Sequence, residues 1–181
     1  MSARRKVEGM GDGAGLPHDG SVVFLVDRDG RILLQQRDDD TPPAGYGRWG
    51  IPGGRREGAE TPQETARREM LEEIGVELGQ LRSIGVATPE DTEGLRARLH
   101  LLVSEDVVPR ELIEVNEGLD FQYWHPDEAA ELPMNPPARH MLARFINEGH
   151  YDTLVALRAQ QTVGVAVIEI DRWGRFLLQL R

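Results

Sequence analysis

Three glutamates, at positions 69, 72 and 73, have the residue type and spacing of a metal-binding site. If this segment is helical, Glu69, Glu72 and Glu73 fall within an arc of ~100°, so their carboxylates share one face. Carboxylates this close repel one another unless cations compensate. Oxygen donors of this kind suit hard divalent cations such as Mg²⁺ or Mn²⁺. A solvated acidic helix face has the same pattern, so the three glutamates alone leave both interpretations open.

The residues around the glutamates predict the helix that must carry them. Thr61 is the expected N-cap, Pro62 suits the first helical position, and Glu64 completes a Thr-x-x-Glu capping box. Gly75 is the expected C-terminal stop. The opposite side of the helix is predicted to pack on a sheet and carries Ala66, Met70, Leu71 and Ile74.

Two further charged residues extend the predicted cluster. Arg68 precedes Glu72 by one helical turn, so an ion pair between them can hold the carboxylate in position. Glu60 lies in the loop just before the helix and can join the cluster from there. The combination of one arginine and four glutamates is more specific than the glutamates alone.

This stretch resembles a known family. Gly54-Arg-Arg-Glu-Gly-Ala-Glu60, Arg68-Glu69-Met70-Leu-Glu72-Glu73 and Ile-Gly75-Val76 match the Nudix box, G-x5-E-x7-R-E-U-x-E-E-x-G-U with U apolar, at every specified position. The strand, loop and helix predicted around these residues are also the context that the box requires. Chance agreement over 23 residues is negligible.

The resemblance implies an α/β fold, the Nudix α/β/α sandwich with a mixed β-sheet, over residues 18–147. It implies Mg²⁺- or Mn²⁺-dependent hydrolysis of a nucleoside diphosphate linked to another moiety. By resemblance, Glu72 and Glu73 are metal ligands, Glu69 is a ligand or the general base, and Arg68 orients these carboxylates. The carbonyl of Gly53 or Gly54 is a further ligand, since a glycine turn lets the backbone approach a metal closely.

A base from outside the box is also common in the family. Glu117, just before the strand predicted at Phe121–Trp124, is the candidate here. An ordinary surface glutamate in a loop explains the same residue equally well.

The remaining pattern predicts the elements of a sandwich. An Asp-Arg-Asp-Gly turn at 27–30 predicts a hairpin between the runs on either side of it. The predicted strands are Ser21–Val26, Arg31–Arg37, Trp49–Gly54, Leu81–Thr88, Ala97–Ser104 and Phe121–Trp124, and the predicted helices after the box are Asp127–Leu132 and a last one that begins at Asn135-Pro136.

The substrate is less well defined by the sequence. Trp49-Gly-Ile-Pro-Gly-Gly54 resembles the approach to the box in MutT-like nucleoside triphosphate hydrolases. Asn135 is either a base-recognising residue, as in those enzymes, or simply the N-cap of the last helix. Arg37 and Arg48 are candidates to meet phosphates, and Trp49 either stacks on a base or belongs to the core.

We therefore expect a (deoxy)nucleoside triphosphate as the substrate. A nucleotide sugar or ADP-ribose is the alternative substrate. A non-catalytic nucleotide-sensing module is the competing class, but such modules usually have eroded boxes and this box is intact.

The composition excludes several other classes of function. The 181 residues have a formal net charge of −10, which argues against nucleic-acid polymers as partners. There is no cysteine, so disulfides and thiolate metal sites are impossible, and a cytoplasmic location is natural. No apolar run approaches the ~20 residues that would span a bilayer.

The two ends of the chain are expected to lie outside the sandwich. Residues 1–17 lack the apolar stretch of a signal peptide and are predicted to be a disordered lead-in. Residues 148–181 are interpreted as a linker followed by a partial repeat, because Asp171–Arg181 is identical to Asp27–Arg37 at eight of eleven positions. The repeat predicts a hairpin like the opening one, unless the two turns converged. It could begin a second copy, add an edge to its own domain, or pair with a second chain in a homodimer.

Overall fold

The computed structural model describes residues 19–38 and 45–161, together with the backbone of two strands at 166–170 and 176–180. The strands are β1 Asp19–Phe24, β2 Ile32–Gln36, β3 Trp49–Gly50, β4 Gly53–Arg55, β5 Leu81–Ala87, β6 Arg98–Ser104, β7 Asp120–Trp124, β8 Ala166–Ile170 and β9 Phe176–Leu180. The helices are α1 Pro62–Ile74, α2 Pro126–Glu131, α3 Pro136–Asn147 and α4 His150–Gln161, with a 3-10 turn at Arg110–Leu112.

Two sheets form the centre of the fold. The first has the order β4-β1-β6-β5 and is mixed, because β1 runs parallel to β6 while the other neighbours are antiparallel. The second has the order β3-β2-β7 and is antiparallel. The predicted α/β class with a mixed sheet is confirmed, and the segment predicted as one strand at Trp49–Gly54 is divided between both sheets.

The predicted hairpin at residues 21–37 exists only near its turn. Asp27 N donates to Arg31 O at 2.9 Å, and Leu33 N donates to Leu25 O at 3.0 Å. Beyond this point the two strands separate, because β1 takes β4 and β6 as neighbours while β2 takes β3 and β7. The local turn was therefore predictable, whereas the strand partners depend on residues far along the chain.

Alternate residues of β1 pack into two separate apolar layers. Val22 and Phe24 lie in the layer shared with α3, where the Phe24 and Phe145 rings stack with centroids 4.2 Å apart. Val23 lies in the layer shared with α1, together with Met70. Strand alternation therefore places one helix on each face of the strand.

Two residues of α1 differ from the predicted division of the helix into a packed face and an exposed face. Leu71 is exposed rather than packed, and Glu73 is buried. At 100° per residue, Glu73 lies only about 20° from Ala66, which occupies the packed stripe, whereas Leu71 points outward. One of the three glutamates is therefore an interior side chain.

Helix α4 lies in the segment that the sequence suggested was a linker. Tyr151 Oη donates to Gly30 O at 2.8 Å. The buried Arg158 donates to the carbonyls of Val26 at 3.2 Å and Ser104 at 3.1 Å. These contacts attach α4 to the turn between β1 and β2 and to the end of β6. No helix among the described residues is long and apolar enough to cross a membrane.

The strands β8 and β9 form an antiparallel pair of their own. Ile170 pairs with Phe176, which are the positions of the repeat that correspond to the bridged Val26 and Ile32. The origin of the repeat and its role in assembly remain predictions. The expected burial of its apolar side chains and the predicted lead-in at 1–17 fall outside the described residues.

Candidate active site

Helix α1 begins and ends as its sequence predicts. Thr61 Oγ1 accepts from Glu64 N at 3.2 Å, and Glu64 Oε2 accepts from Thr61 N at 2.7 Å, which is a complete capping box. Gly75 ends the helix with a φ of 69°, in the left-handed region that favours glycine. These two ends fix the residues at which α1 begins and ends, and the packing of Ala66, Met70 and Ile74 sets which face of it lies against the sheet.

Arg68 connects three of the predicted carboxylates to one another. Its Nε donates to Glu60 at 2.8 Å, and its Nη1 donates to Glu69 at 3.0 Å and to Glu72 at 2.9 Å. Its Nη2 also donates to the carbonyl of Arg55 on β4 at 2.7 Å. The hydrogen bonds from Arg68, with one from Glu57 N, lower the pKa of Glu60 to about 2.

Glu73 is held in a different way, inside the protein. Only 2% of the residue is exposed; its Oε1 accepts from Gln35 Nε2 at 3.0 Å, and its Oε2 accepts from Gly53 N at 3.2 Å. Burial raises its pKa to about 8, and the negative charges of Glu69 and Glu117 act in the same direction. The positive charge of Arg37 opposes this rise but does not cancel it.

Glu69 lies against the glycine turn of β4. A Cβ on Gly54 would come within 2.4 Å of the Glu69 carboxyl carbon and both of its oxygens. Burial raises the pKa of Glu69, although Arg68 opposes this shift. Only a residue without a side chain leaves room for this carboxylate beside the β4 backbone.

Glu117 lies in the loop between the 3-10 turn and β7, close enough to this cluster to influence it electrostatically. Its charge raises the pKa values of both Glu69 and Glu73, although Glu117 itself is exposed. The loop is fixed by Leu119 N, which donates to Gln36 O at 2.8 Å, and by Asn116 N, which donates to Glu73 O at 2.9 Å. An exposed carboxylate therefore lies near one buried and one partly buried carboxylate.

The donor chemistry fits a hard divalent cation. Within 19–38 and 45–161, no group of three His, Cys, Asp or Glu side chains already stands in a metal-binding arrangement. Glu60, Glu69 and Glu72 are instead paired with Arg68. Even so, the negative charge of Glu69 and the burial of Glu73 together favour a cation at this position, and carboxylate oxygens are the donors that Mg²⁺ and Mn²⁺ prefer.

A cavity of about 310 Å³ opens beside the glycine turn. Its polar lining includes two of the predicted substrate residues, Arg37 and Asn135, and two that the sequence did not suggest, Arg55 and Arg96. Its apolar lining is formed by Val22, Ile51, Leu95, Leu99, Pro137 and Met141, among others. An apolar cleft with a few convergent polar groups has the character of a small-molecule site.

Asn135 caps α3 and also lines this cavity. Its Oδ1 accepts from Ala138 N at 2.8 Å, as the cap interpretation predicted. The cap uses only the oxygen, so the amide nitrogen of Asn135, which faces Gly50, is not part of the cap. Capping and ligand recognition are therefore compatible roles of one side chain.

Arg48 and Trp49 are not among the residues that line the cavity. Arg48 Nη1 donates to Met134 O at 3.4 Å. Trp49 is buried in the core, where its ring meets Trp124 edge-on with centroids 5.3 Å apart. The core interpretation of Trp49 describes this position better than base stacking does.

Gln35 is a third residue, after Arg55 and Arg96, that the sequence analysis missed. It lies on β2 with its side chain buried against Glu73. The sequence did contain a signal for it. Leu33 and Gln35 point to the same face of β2, so strand alternation predicts an apolar residue at position 35, and a glutamine stands there instead.

Comparison with known proteins finds a matching family model, similar hydrolases and a similar solved structure. The family model described as NUDIX domain matches residues 16–145. The chain is 27% identical over 125 residues to the CTP pyrophosphohydrolase of Escherichia coli K12, which covers 69% of this chain and 89% of that protein. It is 29% identical over 150 residues to a putative 8-oxo-dGTP diphosphatase 3 of Mycobacterium tuberculosis H37Rv, which covers 72% and 67%. The crystal structure of a MutT NUDIX hydrolase from Burkholderia pseudomallei superposes with a TM-score of 0.59 at 25% identity, covering 71% of this chain and 97% of the other.

Proposed function

The chain belongs to the Nudix family of pyrophosphohydrolases, and we propose that it hydrolyses a (deoxy)nucleoside triphosphate with the help of Mg²⁺ or Mn²⁺. The observation that carries this proposal is the position of Glu73. It is a buried carboxylate at the end of a complete Nudix box, with Glu69 and Glu117 nearby and a cavity beside the adjacent glycine turn.

The proposed ligands of the cation are Glu69, Glu72, Glu73 and the carbonyl of Gly54. A bound divalent cation neutralises phosphate charge and lowers the pKa of a coordinated water. Three of these groups are already restrained, since Arg68 bonds to Glu69 and Glu72 while Gln35 and Gly53 bond to Glu73. Restrained ligands lose little conformational entropy on binding.

The proton that leaves the attacking water needs an acceptor among the residues of the chain. Glu69 and Glu117 are the two candidates, because both carboxylates lie close enough to Glu73 to raise its pKa. Glu69 accepts a hydrogen bond from Arg68 through one of its oxygens, whereas Glu117 is exposed on a loop. Arg68 keeps the carboxylates in place, and Glu60 in turn anchors Arg68 with two hydrogen bonds at 2.8 and 3.1 Å.

The cavity supports a nucleotide as the ligand. Its apolar wall, which includes Leu99 and Met141, suits the faces of a base, and the Asn135 amide suits its polar edge. Arg37 and Arg96 supply positive charge for phosphates. The relatives named for CTP and 8-oxo-dGTP support a triphosphate in particular.

A substrate panel tests the proposal. The protein is incubated with Mg²⁺ and each of the common ribo- and deoxyribonucleoside triphosphates, ADP-ribose and nucleotide sugars, and the release of phosphate or pyrophosphate is measured. We expect turnover of at least one triphosphate, with loss of activity in Glu73→Gln and native activity in Glu77→Gln, a control at an exposed glutamate just after α1. Turnover of ADP-ribose or a sugar nucleotide alone would contradict the substrate class. Binding of a nucleotide without any turnover would instead identify a sensing module.

A further inference from the structure

The side-chain amide of Gln35 connects the candidate metal-binding carboxylate to the cavity. Its Nε2 donates to Glu73 Oε1 at 3.0 Å, and its Oε1 accepts from Arg37 Nη1 at 3.3 Å. Arg37 lines the cavity, whereas Glu73 is buried and accepts a hydrogen bond from Gly53 N. One side chain thus contacts both halves of the candidate site.

Gln35 is buried, so its polar amide needs hydrogen-bond partners inside the protein. Only 1% of Gln35 is exposed, and Leu33 on the same face of β2 is wholly buried in the layer beneath α1. A polar group buried without a partner costs free energy, whereas a fully hydrogen-bonded one does not. An apolar side chain would pack in this layer equally well, so the two hydrogen bonds of Gln35 are the reason to infer a role for its amide.

The direction of each hydrogen bond explains why the residue is glutamine. A carboxylate that binds a cation is ionised and can only accept, so the group facing Glu73 must donate in that state, while the group facing Arg37 must accept. A glutamine amide does both from one planar group, whereas glutamate cannot donate when ionised and methionine does neither. The residue type therefore matches its two neighbours.

Gln35 and Gly53 together set the orientation of the Glu73 carboxylate. Each donates to a different oxygen of Glu73, one from β2 and one from β4. Two donors from two different strands fix both the position and the plane of the carboxylate. Each oxygen keeps a second lone pair that is not used by these bonds.

We propose that Gln35 is a positioning residue: it holds Glu73 in the orientation that binds a divalent cation, and it links that carboxylate to Arg37 on the cavity wall. This inference rests on the proposed function. Groups that orient metal ligands typically contribute 10- to 100-fold to metal affinity or activity. Because Gln35 acts through Glu73, its loss should reduce kcat and metal affinity more than it changes KM for the nucleotide.

The test compares Gln35→Met with Gln36→Met. Both replace a glutamine of β2 by an unbranched apolar residue of similar length, but Gln36 donates to Gly47 O and does not contact Glu73. Mn²⁺ affinity is measured by titration calorimetry without nucleotide, and kcat and KM are measured on the full-length protein. We expect about 10- to 100-fold weaker Mn²⁺ binding and lower kcat for Gln35→Met, and a change of less than about twofold for Gln36→Met.

A second variant guards against misfolding. Gln35→Asn keeps the amide but shortens it by one methylene, so it should fold and still bind Mn²⁺ more weakly than the native protein. Equal Mn²⁺ affinity in Gln35→Met, Gln35→Asn and Gln36→Met would overturn the positioning role while leaving the proposed function intact. A native protein that neither binds Mn²⁺ nor hydrolyses a nucleotide would overturn both.

Discussion

The carboxylate of Glu69 occupies the space that a side chain on Gly54 would need. A Cβ on Gly54 would lie 2.4 Å from each atom of that carboxyl group. Helix α1, which carries the glutamates, and strand β4, which contains Gly54, therefore meet at this point, and each restricts the other.

The substitution Gly54→Ala should consequently displace Glu69 and reduce turnover. A displacement of about 1 Å at a reacting group can cost on the order of 10²-fold in rate, so we expect kcat to fall by about that factor. Gly79→Ala is the control, because Gly79 has no positive φ and its Cβ would meet only Asp106, at 3.3 Å. Steady-state kinetics of both variants, with thermal melting to compare stability, make the comparison. Native kcat in Gly54→Ala would show that the position of Glu69 does not matter to the reaction.

The substitution Arg68→Lys should reduce activity although it keeps the charge. A lysine ammonium cannot reproduce the planar guanidinium that contacts Glu60, Glu69 and Glu72 at once. We expect kcat/KM to fall by about 10- to 100-fold, because the carboxylates lose their common anchor.

Arg67→Lys provides the matched control for this change. Arg67 is the neighbouring residue of α1, but its Nη2 donates to the carbonyl of Gly79 at 2.7 Å, away from the glutamates. Both substitutions remove guanidinium hydrogen bonds and should lower the melting temperature. Only Arg68→Lys should lower kcat/KM, and an equal fall in both variants would assign Arg68 a merely structural part.

Local signals in the sequence were sufficient to predict α1 and its glutamates. The capping box at Thr61 and Glu64 and the glycine at 75 act within a few residues of one another, so their effect does not depend on the rest of the fold. The burial of Glu73 follows from the same helical period, since it lies close to Ala66 around the helix axis.

Long-range contacts explain what the sequence did not predict. Helix α4 is attached by Tyr151 to Gly30 and by Arg158 to Val26, and these partners are more than a hundred positions earlier in the chain. The role of Gln35 likewise depends on Glu73, which only the packing of α1 brings near β2. Polar contacts of this kind leave no periodic pattern in the sequence.

Stability should depend on Glu60 in a defined range of acidic pH. Its pKa is lowered from 4.5 to about 2 by Arg68 and by Glu57 N. A group whose pKa falls on folding stabilises the protein above its unfolded pKa, and this contribution is lost as the pH falls through the folded one. The difference in unfolding free energy between the native protein and Glu60→Gln should therefore be constant above about pH 5.5 and shrink between about pH 5 and pH 2.

Denaturant unfolding of both proteins over this pH range measures the difference. Because the Glu60 side chain is partly exposed, salt should screen the ion pair, and the difference should be smaller at 1 M than at 0.05 M sodium chloride. A difference that does not change with pH would mean that Arg68 does not hold Glu60 in solution.

The two roles assigned to Asn135 can be separated by two substitutions. Aspartate keeps the oxygen that accepts from Ala138 N and adds a negative charge at the N-terminus of α3, which the helix dipole favours. Alanine removes the cap, at a cost of about 1 kcal/mol of stability. Asn135→Asp should therefore melt close to the native temperature, and Asn135→Ala should melt lower.

Binding of the triphosphate should depend on the amide nitrogen of Asn135, whereas stability depends on the oxygen that forms the cap. The amide nitrogen is lost in both variants, so both should raise KM for the preferred triphosphate if that nitrogen donates to the base, and Asn135→Asp at least as much as Asn135→Ala because its carboxylate repels the triphosphate. We expect the increase to be about 5- to 30-fold, which corresponds to the loss of a hydrogen bond worth 1–2 kcal/mol. An unchanged KM in Asn135→Asp, with lower stability in Asn135→Ala, would limit Asn135 to the cap, since the donor would then have no part in binding.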